Sequence, residues 1–253
     1  MSTMPFAGTL LFFAALGLAF GSFGNVLIFR LAENESVGGR STCRACRHPL
    51  AWHDLVPVLS YVVLHGKCRY CGEHISLQYI MVELATMFLF IMAILLYPDN
   101  IVLASGTAGV FFGLMLVCVF DLFHEQIPDV FTAIIFAGAA LTALAQNTFE
   151  SPVMGALVSL GWFGGQWLVS RGKYVGAGDI FLGASLGVWL GLRDTIAMLA
   201  LSYITGALVA GFLLLSRKVK LKESRLPFAP FLAVGALLAY LGVGDAYLSL
   251  LVR

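Results

Sequence analysis

Four cysteines fall in two pairs, Cys43-x-x-Cys46 and Cys68-x-x-Cys71, with 21 residues between the pairs. Each such turn offers two sulfurs, and two turns at this spacing fit a closed tetrahedral Zn2+ site of the ribbon type. A complete four-thiolate shell leaves no open coordination position, so a metal held there is structural rather than catalytic. His48, His53, His65 and His74 share the same stretch and are alternative ligands, but at their irregular spacing they read more simply as exposed loop residues. Cys118 stands apart and reads as a small buried apolar side chain.

A second kind of chemistry lies in the carboxylates. Asp121 ends an apolar run in Val119-Phe120-Asp121-Leu122-Phe123-His124-Glu125-Gln126-Ile127-Pro128-Asp129, and Asp179 opens another in Gly176-Ala177-Gly178-Asp179. Ionisable groups at such positions are costly to bury and usually mark function or a buried pair. Two carboxyls that share a site cannot both ionise easily. One stays protonated to polarise a carbonyl while the other activates water, which is the requirement of aspartyl proteolysis. A coupled pair titrates as a unit, so the two roles are not assigned to particular residues. Gly176 and Gly178 are read as supporting residues that permit unusual dihedrals and close backbone approach to Asp179. Pro128 suits a first helical turn, and Asp129 beside it either complements a positive helix end or takes a direct part in the chemistry. Glu125 and His124 read as interfacial, whereas Glu83, one turn inside an apolar run, is expected to face a cavity or a polar partner.

The elements that must position these groups are membrane spans. Of 253 residues, 60% are hydrophobic and 11% charged, far from soluble composition, and the net charge of +1 gives no case for a nucleic-acid partner. Hydropathy places eight transmembrane helices near residues 7–29, 79–97, 101–120, 128–146, 152–170, 180–192, 195–215 and 229–250. The first lacks a basic leader and is too long for a signal-peptide core, so it reads as a retained span. Its end carries Gly21, Ser22, Gly24 and Asn25, suited to close packing or a protein-lined cavity. With both termini extracytoplasmic, thirteen of the fifteen Lys and Arg residues fall inside, leaving only Arg193 and Arg253 outside. Two spans separate Asp121 from Asp179, so the even number of crossings returns both to the cytosolic face. The expected fold is an all-α polytopic membrane protein with a small cytosolic zinc-ribbon-like loop. Its parts are a first span (1–29), the cytosolic four-cysteine loop (30–78) and a membrane-embedded aspartyl protease core (79–253).

These residues together resemble the bacterial type IV prepilin leader peptidases, which also serve type II secretion. The resemblance runs through Gly21-Ser22-Phe23-Gly24-Asn25 and on to Arg30, both cysteine pairs, and Asp54-Leu55-Val56-Pro57 with Ser60-Tyr61. It continues through Gly66-Lys67-Cys68, Glu83, Asp121 with Ile127-Pro128-Asp129, and Gly176-Ala177-Gly178-Asp179. It implies that Asp121 and Asp179 are the catalytic pair and that Asp129 is not. The implied substrates are prepilins or pseudopilins, cut after a glycine at the cytosolic face of a bacterial inner membrane. It further implies N-methylation of the new N-terminus from S-adenosylmethionine, although no nucleotide fingerprint locates that cofactor. Where the family usually has Cys-Pro-x-Cys, this chain has Cys43-Arg44-Ala45-Cys46, which keeps both sulfurs but loses the proline's turn preference.

Two other readings use the same residues. An intramembrane aspartyl protease of other single-span substrates also employs Gly-x-Gly-Asp, but does not account for the four-cysteine loop. A zinc-stabilised transporter lined by Asp121, Asp179 and Glu83 requires polar groups distributed through the bilayer, whereas most carboxylates here gather at one face. The oligomeric state is not legible in the sequence.

Overall fold

A computed structural model describes residues 6–173, 175–216 and 227–242. Its helices are α1 (Phe6–Ala32), the short α2 (Leu59–Val63), α3 (Leu77–Leu96), α4 (Ile101–His124), α5 (Asp129–Gln146), α6 (Glu150–Ser170), α7 (Ala177–Leu215) and α8 (Ala229–Tyr240). Six of them, α1 and α3 to α7, are long and apolar enough to cross a membrane, so the chain is a multi-pass membrane protein. No strand occurs among the described residues, only two isolated bridges. The basic run Arg217–Arg225, the far part of the last expected span and Arg253 lie outside the described residues.

The expected sixth and seventh spans are both present in α7. Gly191 interrupts that helix with φ 74° and ψ 179°, a conformation that only glycine adopts readily. A Cβ there would meet the Ser151 hydroxyl oxygen at 2.5 Å, and that hydroxyl accepts the Leu192 N–H at 3.0 Å. Gly183 lies beneath the Phe163 ring, while Tyr203 accepts a hydrogen bond from the neighbouring Trp162 at 3.2 Å. Positions 183 and 203 are therefore level with the same turn of α6, and the chain doubles back at Gly191. With the two legs of α7 counted separately and α8 included, eight apolar segments result, in register with the eight expected from hydropathy.

The chain forms two compact units, Met1–Met115 and Leu116–Arg253, with the division inside α4. In the first unit α1 and α3 pack backbone to backbone. A Cβ on Gly17 or Gly21 would come within 2.6 Å of the Met87 or Glu83 Cα, so only glycine permits this approach. Asn25 is fully buried and donates its amide to the Tyr79 carbonyl at 3.1 Å, and Phe29 stacks on Tyr79 with centroids 4.9 Å apart. The small and polar end of the first span thus has the close-packing role its composition implied. In the second unit, Gly155 and Gly187 bring α6 against the first leg of α7, and Gly235 lets α8 meet Ser202 and Met198 on the second leg.

Candidate active site and metal centre

The second unit gathers its chemistry at one end of its helices. Asp121, in the last turn of α4, is 6% exposed, and its Oδ2 accepts the N–H of Ala229, the first residue of α8, at 3.0 Å. That bond satisfies one of the orphan donors at a helix start and draws α8 onto the carboxylate. Asp179 occupies the first turn of α7, half-buried, and its Oδ2 accepts the Gly176 N–H at 3.0 Å. The Asp121 charge acts on Asp179, so two carboxylates 58 positions apart in sequence share one electrostatic neighbourhood.

The two supporting glycines differ. Gly176 has φ −75° and ψ 156°, ordinary extended backbone, and a Cβ there would meet Asp179 Oδ2 at 3.4 Å and the Gly178 nitrogen at 4.0 Å, both ordinary contacts. At Gly178 a Cβ would lie 2.8 Å from the Ile127 Cβ. Close approach is therefore the reason for Gly178, and the unusual dihedrals expected of this motif are absent at Gly176. Pro128 caps α5 with φ −63°, and Asp129 is its exposed first residue, outside the carboxylate pair. Glu125 is exposed and takes φ 51° as α4 ends, with its N–H bonded to the Asp121 carbonyl. Ala229 and Ile127 are the contributors that side-chain chemistry did not reveal. Pro227 and Pro230 flanking Ala229 are the available signal, since prolines there mark a helix start.

In the first unit the two cysteine pairs form matching knuckles. Cys43 N–H bonds the His48 carbonyl at 3.0 Å and Arg47 N–H returns to the Cys43 carbonyl. Cys68 N–H bonds the Glu73 carbonyl at 2.8 Å and Gly72 N–H returns to the Cys68 carbonyl. The fourth residue after each first cysteine, Arg47 or Gly72, takes the same left-handed conformation, φ 58° and 74°. All four sulfurs lie within 4.8 Å of one another, and Cys43 and Cys71 are 3.9 Å apart. Four sulfurs about 2.3 Å from one zinc ion are separated by roughly 3.8 Å, so the set can close on a metal with little movement.

Burial opposes ionisation of the Cys43 thiol, but the backbone N–H groups of Cys46 and Ala45 and the thiols of Cys68 and Cys46 together outweigh it and lower the thiol to about 7. Cys71 accepts an N–H from Glu73, but burial and the other three sulfurs push it up to about 12. Four thiols crowded without a cation make ionisation of the last one costly, which is what a metal relieves. None of the histidines joins the cluster: His48 lies against Tyr70 with the rings tilted and their centroids 3.8 Å apart, and His53 lies 3.6 Å from Asp54. The first knuckle forms without a proline after Cys43. Arg44 in its place pairs with Glu33 and sits 4.3 Å over the Phe29 ring, tying the knuckle to the end of α1. Cys118 is half-buried on α4.

Between the knuckles, Asp54 receives Arg69 Nε at 2.7 Å, Tyr70 Oη at 3.1 Å and the Ala51 N–H at 3.2 Å. Val58 then takes φ 61° and ψ −50°, and Leu59 N–H bonds the Pro57 carbonyl at 2.6 Å. This is the rare positive-φ γ-turn, costing about 1–3 kcal/mol in a β-branched residue. It is held by Glu83, which is 6% exposed and accepts the Val58 N–H at 2.7 Å and a bond from Ser22. Glu83 thus has the polar partners that its depth in the second span demanded.

A multi-pass helical membrane protein with two interacting aspartates at the helix ends and a four-thiol cluster in a short loop defines a class: membrane enzymes with a stapled loop. Comparison narrows the class to one family. Residues 15–97 match the bacterial peptidase A24 N-terminal domain, and residues 108–211 match the type IV leader peptidase family. The type 4 prepilin-like proteins leader peptide-processing enzyme of Escherichia coli O78:H11 is 33% identical, over 93% of this chain and 92% of its own length. The prepilin leader peptidase/N-methyltransferase of Bacillus subtilis is 33% identical, with 94% and 95% covered, and that of Vibrio cholerae is 33% identical, with 77% and 83% covered. No solved structure matches the chain. The chain belongs to the type IV leader peptidase family.

Proposed function

We propose that this protein removes the leader from type IV prepilins or type II secretion pseudopilins and then N-methylates the new N-terminus. Asp121 and Asp179 are the catalytic pair. The observation that carries this reading is their placement at one end of the second unit, where Gly178 beside Asp179 packs on Ile127 just past the α4 turn that holds Asp121, in a chain of this family. In the reaction the ionised carboxylate takes a proton from water as its oxygen attacks the scissile carbonyl, and the protonated partner donates to the carbonyl oxygen. The tetrahedral adduct then collapses, the C–N bond breaks, and the leaving nitrogen takes a proton from the pair. The Gly176 and Ala229 N–H groups each occupy one oxygen of a carboxylate, leaving the second oxygen for water or substrate.

The protease core spans residues 79–253 and follows the first span (1–29) and the loop (30–78). The enzyme resides in a bacterial inner membrane with both termini outside, and its loop and aspartates face the cytosol. The thirteen basic residues assigned to that side support this orientation. Cys43, Cys46, Cys68 and Cys71 hold a structural Zn2+, which staples a loop too small to fold on its own core. S-adenosylmethionine supplies the methyl group, an electrophilic carbon on a sulfonium, to the free amine released by cleavage.

The test is cleavage of a prepilin-type substrate by purified protein in detergent, comparing wild type with Asp121→Asn and Asp179→Asn. Both variants are expected to lose cleavage by several orders of magnitude while keeping the wild-type thermal transition. Cutting by both well-folded variants refutes the aspartyl mechanism, and a prepilin left intact by wild type refutes the substrate.

A further inference from the structure

The first unit contains a cavity of about 630 Å3 between the end of α1, the knuckles, the Pro57–Tyr61 turn and the start of α3. This volume is within the roughly 300–1,000 Å3 typical of small-molecule sites. Its walls are mixed: Phe29, Tyr79, Tyr61 and Leu55 supply ring and aliphatic surface, and Ser22 and Glu83 supply polar groups.

The charges on this wall are unequally satisfied. Arg44 pairs with Glu33, Arg47 lies 3.6 Å from Glu35, Arg69 is bound to Asp54, and Arg30 donates to the carbonyls of Ser36, Val37, Gly38 and Arg40. Glu73 also lines the cavity and makes no ion pair among the described residues, but it is exposed; the buried exception is Glu83. It is almost fully buried and held by neutral donors from Val58 and Ser22, and no cation pairs with it among the described residues. A buried carboxylate without a counter-charge is expensive, and a strained γ-turn is maintained to present an N–H to it. A cationic ligand in the cavity relieves that cost.

We propose that this cavity is the methyl-donor site, with Glu83 as counter-charge to the sulfonium of S-adenosylmethionine and the aromatic and aliphatic walls enclosing its purine. The proposal rests on the methyl-transfer reading above and names the residues for it. In the transfer, the lone pair of the neutral N-terminal amine attacks the methyl carbon and the C–S bonding pair returns to sulfur. The products are a thioether and a methylammonium that loses its proton to water. Glu83 takes no proton in this scheme: it stabilises the charge that the donor carries and the product thioether lacks.

That difference in charge provides the test. Binding of S-adenosylmethionine and of S-adenosylhomocysteine to the zinc-loaded full-length protein in detergent is measured by calorimetry for wild type, Glu83→Gln and Asp179→Asn. Wild type and Asp179→Asn are expected to prefer the sulfonium. Glu83→Gln, which keeps an acceptor for the Val58 N–H, is expected to lose about tenfold or more in affinity for the sulfonium with little change for the thioether. The ratio within one variant corrects for any partial misfolding. An unchanged ratio in Glu83→Gln overturns the proposal while leaving methyl transfer intact. Failure of wild type to bind either compound overturns the methyl-transfer reading and the proposal with it. Photo-crosslinking of radiolabelled donor to wild type is an independent check: label is expected in 22–33, 54–64 or 75–83, and label confined to 121–131 or 176–190 refutes the site.

Discussion

Gly178→Ala is a sharp test of how the aspartates are positioned. The added Cβ would stand 2.8 Å from the Ile127 Cβ and 3.4 Å from its carbonyl oxygen. Carbon atoms settle at about 3.5–4.0 Å, so one side must retreat by roughly 1 Å. Ile127 has little freedom to do so, because a residue before proline is confined to extended backbone and Pro128 is committed as the α5 cap. The strain therefore falls on the first turn of α7, which carries Asp179. Overpacking of this kind costs about 1–3 kcal/mol of stability. A displacement of about 1 Å at a reacting group costs on the order of 10²-fold in rate. Prepilin cleavage by Gly178→Ala is accordingly expected to fall 10- to 100-fold in kcat/KM, with a lower thermal transition. Gly176→Ala is the matched control: its Cβ meets one flexible carboxylate oxygen at 3.4 Å, and cleavage is expected to stay within a fewfold of wild type. Removing the obstacle with Ile127→Gly should recover much of the Gly178→Ala loss when the two are combined, a coupling that independent sites do not show. Equal defects at Gly176 and Gly178, or additive losses in the double variant, would refute the close-approach argument.

Two further outcomes concern the loop. Metal analysis of the purified protein is expected to find one zinc per chain, with Cys46→Ser losing most of it and destabilising the loop. A zinc-free protein with wild-type stability and cleavage contradicts the structural role. Burial opposes ionisation of Asp54, but Arg69, the Ala51 N–H and Tyr70 outweigh it and hold the carboxyl below its ordinary 3.8. A depressed carboxylate contributes stability that is complete above its unfolded value and is lost as pH falls through the folded one. Thermal unfolding of wild type minus Asp54→Asn should therefore show a constant difference above about pH 5. Below pH 3.8 that difference should shrink, and one that grows on acidification rules out the ion-pair account.

What could be read in advance followed the physics that composition and spacing record. Apolar length marks the spans, and even the reversal at Gly191 left a trace, because the sixth span is short and Arg193 and Asp194 follow it. Four thiols in two turns show their own geometry, and two crossings between Asp121 and Asp179 bring both to one side whatever the helix packing. The groups that complete each site are of another kind. Ala229 holds Asp121 through a backbone N–H, and Val58 offers Glu83 the same, yet every non-proline residue carries that donor and none advertises its use. Gly178 is visible as a glycine, but its need is set by Ile127, about fifty positions away in sequence, whose Cβ would stand 2.8 Å from a Cβ on Gly178. Side-chain chemistry is thus written residue by residue, whereas what aims it is written in pairs, and only a fold that brings α4, α5, α7 and α8 to a common end lets those pairs be read. The same reasoning separates the two motif glycines: they look equivalent as Gly-x-Gly, but one spares a collision with Ile127 and the other meets nothing closer than a movable carboxylate.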